Sequence, residues 1–304
     1  MILIADSGST KTDWRLIDDN KQIHQFSSQG INPYFQTSEQ ISEILRSELL
    51  PQISALSAAA DQISQLPSPN SELPSPNSKL PTQLFFYGAG CRVEDKKQIV
   101  MSALKENFPT AEIEIHTDLL GAARSLCGSK PGIAAILGTG ANTCYYDGEK
   151  IAENRTSLGY VLGDEGSGAH IGKTFIQAYL NDELPTDLSN RFYERFKLSK
   201  DEIIDAVYKK PMPNRFLASF SKFIYQNLKE QYVLDLVADC FRQFFDKHIC
   251  KYEKHKELKL SCTGSVAFYY SNILRAVAAD KGVNIDTIVE TPISGLTLYH
   301  LGEE

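Results

Sequence analysis

Two stretches of this chain share one plan, and that repetition limits what it can fold into. Ile2-Leu3-Ile4-Ala5-Asp6-Ser7-Gly8-Ser9-Thr10 runs from an apolar strand into a loop of small residues, then into a second strand, Thr12-Asp13-Trp14-Arg15-Leu16. Ile133-Ala134-Ala135-Ile136-Leu137-Gly138-Thr139-Gly140-Ala141-Asn142 repeats it about 130 residues later, followed by Thr143-Cys144-Tyr145-Tyr146-Asp147-Gly148. Small residues let backbone N–H groups approach phosphate oxygens, and Ser/Thr hydroxyls add donors. One such loop reads as a tight turn about as well as a phosphate site. Two of them, each feeding a hairpin, point to a duplicated domain with nucleotide phosphates clamped between the copies.

Two other phosphate motifs do not fit. A P-loop needs Gly immediately before Lys-Ser/Thr, whereas Lys11 follows Thr10. A dinucleotide fingerprint opens a helix, whereas Gly138 and Gly140 lead into a hairpin. Elsewhere strands and helices alternate, which argues α/β. Strands are expected at Ile2–Asp6, Asp13–Ile17, Gln22–Phe26, Leu84–Gly88, Ile113–His116, Ile133–Leu137, Cys144–Tyr146, Lys150–Ala152, Leu258–Cys262 and Ile288–Glu290. Helices are expected over 38–65 with a break at Pro51, then at Glu94–Asn107, Leu119–Cys127, Val266–Ala279 and Ser294–Leu301, with a mainly helical stretch after Gly166. The tandem heptapeptides from Leu66 to Lys79 hold prolines that exclude regular structure. They read as a flexible surface insertion over about residues 66–82.

The bulk properties mainly exclude. At 304 residues the chain can bury most of its unfolded surface without disulfides or a metal. A net charge of −7 and no basic cluster argue against a nucleic-acid partner. Six scattered cysteines (Cys91, Cys127, Cys144, Cys240, Cys250, Cys262) form no CxxC pair, which leaves a zinc ribbon or disulfide framework unsupported. The N-terminus lacks a basic segment and meets Asp6 at once, unlike a signal peptide. No apolar run approaches the roughly 20 residues that span a bilayer. A soluble, cytoplasmic protein without membrane contact is the expectation.

Seven blocks carry a family resemblance, in the family's order: Asp6–Thr12, Gly30-Ile31-Asn32-Pro33, Gly88-Ala89-Gly90, Thr117-Asp118, Gly138-Thr139-Gly140-Ala141-Asn142, Gly163-Asp164-Glu165-Gly166-Ser167-Gly168 and Thr263-Gly264-Ser265-Val266. Together they resemble the sugar kinase, heat-shock chaperone and actin superfamily. More narrowly, they resemble the BadF/BadG/BcrA/BcrD ATPase-like group that includes N-acetylglucosamine kinases. The resemblance spans the chain apart from the proline-rich insertion. It implies two duplicated ribonuclease H-like (actin-like ATPase) domains with an interdomain nucleotide cleft. The expected domains are residues 1–118 and 119–304, with the last helix free to pack back on the first. It also implies ATP and Mg²⁺ as cofactors and a small sugar as partner. Since family kinases are often dimers, a homodimer is allowed.

Within that resemblance Asp118, at the end of a strand, is the expected general base toward a sugar hydroxyl. Helix capping is the plain alternative. Asp6 is expected to meet Mg²⁺ through water, against an Asx-turn role. Ser7, Gly8, Ser9, Thr10, Lys11, Gly138, Thr139, Gly140, Gly264 and Ser265 are the expected ATP and phosphate contacts. For Lys11 an exposed strand lysine is the equal alternative. Asn32, Asn142, Asp164 and Glu165 are the expected sugar contacts; turn chemistry competes for Asn32 and helix capping for Asp164. His116 reads either as a support for Asp118 or as a strand-end residue. Two other functions stay open: an ATPase activator of a 2-hydroxyacyl-CoA dehydratase-type enzyme, whose cysteine pairing is not seen here, and a non-catalytic sugar or nucleotide sensor. The zinc-containing repressor/kinase family lacks its cysteine-rich motif in this chain.

Overall fold

The strand-loop-strand plan near the N-terminus folds into β1 (Ile2–Ser7) and β2 (Lys11–Ile17), paired antiparallel. In the computed structural model, which describes residues 1–8, 10–56, 80–155 and 157–303, these two strands lie inside a five-stranded sheet. β3 (Ile23–Gln29) flanks β2 antiparallel. β4 (Gln83–Gly88) and β5 (Glu112–Thr117) continue from β1 in parallel, giving the order β3-β2-β1-β4-β5. Side chains alternate between faces with the pleat. Leu3, Ala5, Trp14, Leu16, Leu84, Phe86 and Ile115 join one core with residues of α1 (Ser38–Ile44) and α2 (Glu94–Asn107). Ile4, Ile17 and Tyr87, on the opposite face, pack with Ile293 and Leu296 of the last helix, Ile293–Leu301.

The second loop organises a second sheet of the same kind. β6 (Gly132–Leu137) pairs antiparallel with β7 (Ala141–Tyr146), which pairs with β8 (Ile151–Arg155). β9 (Leu260–Thr263) and β10 (Ile285–Val289) extend from β6 in parallel. The order β10-β9-β6-β7-β8 is the first sheet's order again, strand for strand in order of appearance, with the same pairing senses. Chain contacts divide the protein into Met1–Gly121 with Ile293–Glu303, and Ala122–Pro292. The division falls inside α3 (Asp118–Cys127).

Helices fill out the second unit: α4 (Gly159–Leu162), α5 (Gly168–Leu180), α6 (Thr186–Phe196), α7 (Lys200–Tyr208), α8 (Pro213–Ser219), α9 (Ser221–Gln226) and α10 (Gln231–Lys247). After β9 come α11 (Ser265–Tyr269) and α12 (Ser271–Asp280), and α13 (Ile293–Leu301) ends the chain. Phe175, Phe192, Phe220, Phe241 and Phe244 sit in one buried cluster with Ile133, Ala135 and Leu137 of β6.

Several expected boundaries move. Pro51 does not break its helix: residues 50–56 stay helical, because a wider π turn at Leu45–Leu49 precedes it, with Leu50 N–H bonded to Leu45 O. A proline lacks an N–H and crowds the carbonyl four residues back, and a π turn relieves that crowding. The expected helix Val266–Ala279 is two helices, since Tyr270 leaves helical geometry and serves at once as the C-cap of α11 and the N-cap of α12. Register with neighbouring strands extends β3 to Gln29 and starts β10 at Ile285. The tandem insertion lies outside the described residues except for Leu80–Thr82. No helix among the described residues is long and apolar enough to cross a membrane.

Candidate functional site

In the first unit, the C-terminal ends of parallel β1 and β5 lead into residues expected at the site, and β4 between them ends in the Gly88-Ala89-Gly90 block, at the edge where open α/β sheets bind ligands. The β1–β2 turn closes with Gly8 N–H bonded to Lys11 O at 3.0 Å. The Ser7 hydroxyl is fully buried, paired with Thr12 Oγ1 at 2.7 Å and donating to Ile31 O at 3.0 Å. It therefore holds the loop from inside. Gly8 and Thr10 are exposed, and Ser9 lies outside the described residues. The Lys11 ammonium pairs with Asp13 Oδ1 at 2.6 Å.

Asn32 is buried beside Gly90, and its Oδ1 accepts from Tyr34 N–H at 3.0 Å, an Asx turn. Asp118 is the first residue of α3. Thr117 Oγ1 accepts from Leu120 N–H at 3.2 Å and so takes the capping role, while Asp118 Oδ1 accepts from Leu119 N–H at 2.9 Å. His116 bonds Glu114 and stacks on Tyr87 at 5.2 Å between ring centres.

The charges at this edge are crowded. Asp6 faces Asp13 across the β1–β2 ladder. Burial first, then the charges of Asp118 and Asp13, push the Asp6 carboxyl up to about 8. Burial also raises Asp118, against the hydrogen bond from Leu119. Mutually repelling carboxylates in a low-dielectric setting suit a cation. No three His, Cys, Asp or Glu residues among those described converge as a complete metal cage. Mg²⁺ usually takes one or two carboxylates plus waters and phosphates, and Asp6 and Asp13, opposite each other on the ladder, are carboxylates of that kind.

A stability test follows from this crowding. Because folding raises the Asp6 pKa, its favourable contribution is full below the unfolded value near 4 and is lost as pH climbs to about 8. Asp6→Asn should then stabilise the metal-free protein at pH 8 by about 1–3 kcal/mol and change little at pH 4. Thermal unfolding in chelator at both pH values measures it; a variant less stable at pH 8 contradicts the crowding.

In the second unit the corresponding loop is tied to a helix start. Gly168 N–H bonds Gly138 O at 2.8 Å, and Ala169 N–H bonds Thr139 O at 3.0 Å. Ser167, not Asp164, caps α5 by accepting from His170 N–H. Asp164 turns toward the loop instead. Its Oδ1 accepts from Ser157 Oγ at 2.5 Å and from Ala141 N–H at 3.3 Å. Gly140 lets this carboxylate come close, since a Cβ there would lie 2.9 Å from Asp164 Oδ2. Gly264 approaches from β9: its φ is +111°, and a Cβ would lie 2.4 Å from Leu137 O and 3.2 Å from Gly138 N. Ser265 beside it is exposed.

Glu165, expected beside Asp164 as a sugar contact, points the other way. It is buried, bonded to Lys247 Nζ at 2.7 Å and His248 Nε2 at 2.9 Å. Burial alone would raise its carboxyl, but those two partners outweigh it and hold it at about 2. The Asn142 Oδ1 accepts from Thr143 N–H and from Asn154 Nδ2. The structure thus gathers Gly138, Thr139, Gly140, Asp164 and Gly264 directly, and Asp6 with Asp118. Sequence reasoning missed Asp13, Thr117, Ser157, Lys247 and His248. Asp13 was reachable from the hairpin register; Lys247 and His248, about 80 residues from Glu165, carry no local signal.

No protein-family model and no curated protein matches the chain, so the narrower BadF/BadG/BcrA/BcrD resemblance rests on motifs alone. Among solved structures, a putative N-acetylglucosamine kinase from Chromobacterium violaceum has 16% identity over 98% of both chains with a TM-score of 0.70. A ROK family glucokinase from Streptomyces griseus, solved with glucose and AMPPNP, has 13% identity over 98% and 97% with a TM-score of 0.52. These two share the fold. The putative N-acetylglucosamine kinase from Porphyromonas gingivalis is similar at 40% identity over 99% of both chains, with a TM-score of 0.88. At that identity over nearly the full length of both, this chain belongs to the same family as the Porphyromonas gingivalis protein.

Proposed function

We propose that this protein is an ATP-dependent sugar kinase acting on an amino sugar, with N-acetylglucosamine as the leading substrate. The repeated sheet order is then the duplicated ribonuclease H-like, actin-like ATPase fold. The observation that carries the reading is Asp118: a half-buried residue directly after β5, relieved of capping by Thr117 and with its carboxylate oriented by Leu119 N–H. Family membership supports the substrate class.

In this reading Asp118 accepts the proton of a sugar hydroxyl as its oxygen attacks the γ-phosphorus of ATP in line. The bond from that phosphorus to the β–γ bridging oxygen breaks, and ADP leaves. The raised pKa makes Asp118 a stronger base once ionised. Phosphate oxygens are assigned to the Gly8–Thr10 and Gly138–Gly140 loops, through donors other than Gly8 N–H, which bonds Lys11 O, and Gly138 N–H, which bonds Gly140 O, with Gly264 and Ser265 toward the nucleoside. Asn32, Asn142 and Asp164 are assigned to sugar hydroxyls. Asp6 would hold Mg²⁺ through water, and the ion when bound would offset charge on the phosphates.

The test is ADP release with N-acetylglucosamine, glucosamine, N-acetylmuramic acid and glucose. Sugar-stimulated turnover, highest with an acetamido sugar, is expected. ATP hydrolysis indifferent to every sugar would leave a sensor or an activating ATPase in its place.

A further inference from the structure

The Gly163–Gly168 segment is bent in an unusual way. Asp164 has φ +57° and Gly166 has φ +77°, both left-handed; Asp enters that region more readily than most residues, and here its surroundings also hold it there. On one side the hold is on Asp164 itself, through Ala141 N–H and Ser157 Oγ. On the other it is the Glu165 carboxylate, 6% exposed, with both oxygens engaged by Lys247 and His248. Those two residues close α10, a 17-residue helix whose Val233, Val237, Phe241 and Phe244 are fully buried. The anchor is therefore a rigid element. The Lys247 ammonium at a helix C-terminus also suits its dipole, so that cation is well placed there.

The bend has a further consequence. It sets the Asp164 carboxylate against Gly140, so the placement of Asp164 and the shape of the Gly138–Gly140 loop are interlocked. A segment free to relax to right-handed φ would carry Asp164 away from that loop.

We propose that Glu165 is a positioning residue: its paired contacts with Lys247 and His248 lock the left-handed turn that presents Asp164 to the sugar. The effect on sugar rests on the kinase reading; the effect on the turn does not. Lys247 is half exposed and its removal spares the core, so it separates the clamp from folding.

Glu165→Gln, Lys247→Gln and Lys247→Arg, each in the full chain, would be compared with wild type for sugar KM, kcat, melting temperature and hydrogen exchange across residues 157–168. Faster exchange in that segment is expected for the two Gln variants, with a sugar KM raised about tenfold or more. Lys247→Arg should return both toward wild type. Unchanged exchange in both Gln variants overturns the clamp. Faster exchange with an unchanged sugar KM and a kcat that falls only with the folded fraction overturns the positioning role. If wild type phosphorylates no sugar, the kinase reading fails, and exchange still decides the clamp.

Discussion

Asp118→Asn is expected to lower kcat with an amino sugar by about 10²- to 10⁴-fold, the usual contribution of a positioned general base. The substitution preserves shape, and an amide oxygen can still accept from Leu119 N–H as Asp118 Oδ1 does at 2.9 Å. Thr117 continues to cap α3. Binding should change much less than kcat, and melting should not fall. Removing a charge from the crowded Asp6, Asp13 and Asp118 edge acts in the stabilising direction.

The pH profile adds a second readout. Burial raises Asp118, so the wild-type rate should climb with pH as that carboxyl ionises, and the Asn variant should lose this limb. Full activity in the variant removes Asp118 from the chemistry.

Gly264→Ala should be the most damaging single-methyl change at the candidate site. The residue has φ +111°, and the added Cβ would stand 2.4 Å from Leu137 O, a backbone atom within the central strand β6. No rotamer change relieves a backbone clash, so a loss of about 3–5 kcal/mol is expected. In thermal unfolding that is a drop of roughly 6–20 °C at the usual 2–4 °C per kcal/mol for a unit of this size.

Gly138→Ala makes the contrast. A Cβ there meets no heavy atom within 4 Å. The fold should tolerate it with a melting temperature changed by no more than about 2 °C, whereas the KM for ATP should rise if the space is used by phosphate. Equal melting losses in the two variants would contradict the distinction.

Much of the fold was legible because its signals are local. The apolar runs at Ile2 and Ile133, each ending in small residues and a second strand, became the central strands of the two sheets. Glu94–Asn107 has its expected bounds, because an amphipathic pattern between an acidic start and Phe108 leaves few alternatives. Pro51 misled for a physical reason. A proline penalises the ordinary α-turn, and the chain avoids the penalty with a π turn that no local pattern announces.

At the candidate site, residue types were readable and partners were not. Asp118, Asp164 and Glu165 stand out as acids in Gly- or Thr-bounded loops, and capping could be claimed for each of the first two. The structure gives the caps to Thr117 and Ser167. Glu165 turns inward because Lys247 and His248 wait at the end of α10, and Lys11 pairs with Asp13 because strand pleating puts their side chains within reach. The sequence by itself determined the two strand-loop-strand modules, the α/β class and which residue types stand ready for the proposed phosphoryl chemistry. These follow from periodicity and side-chain chemistry, which act over a few neighbours. Tertiary structure decided that the repetition runs on beyond the two modules, with β9 and β10 added to the second sheet as β4 and β5 are to the first. It also decided which acids face each other and which are neutralised within. Charge–charge energies depend on distance and burial, and those are set by residues far apart in the chain.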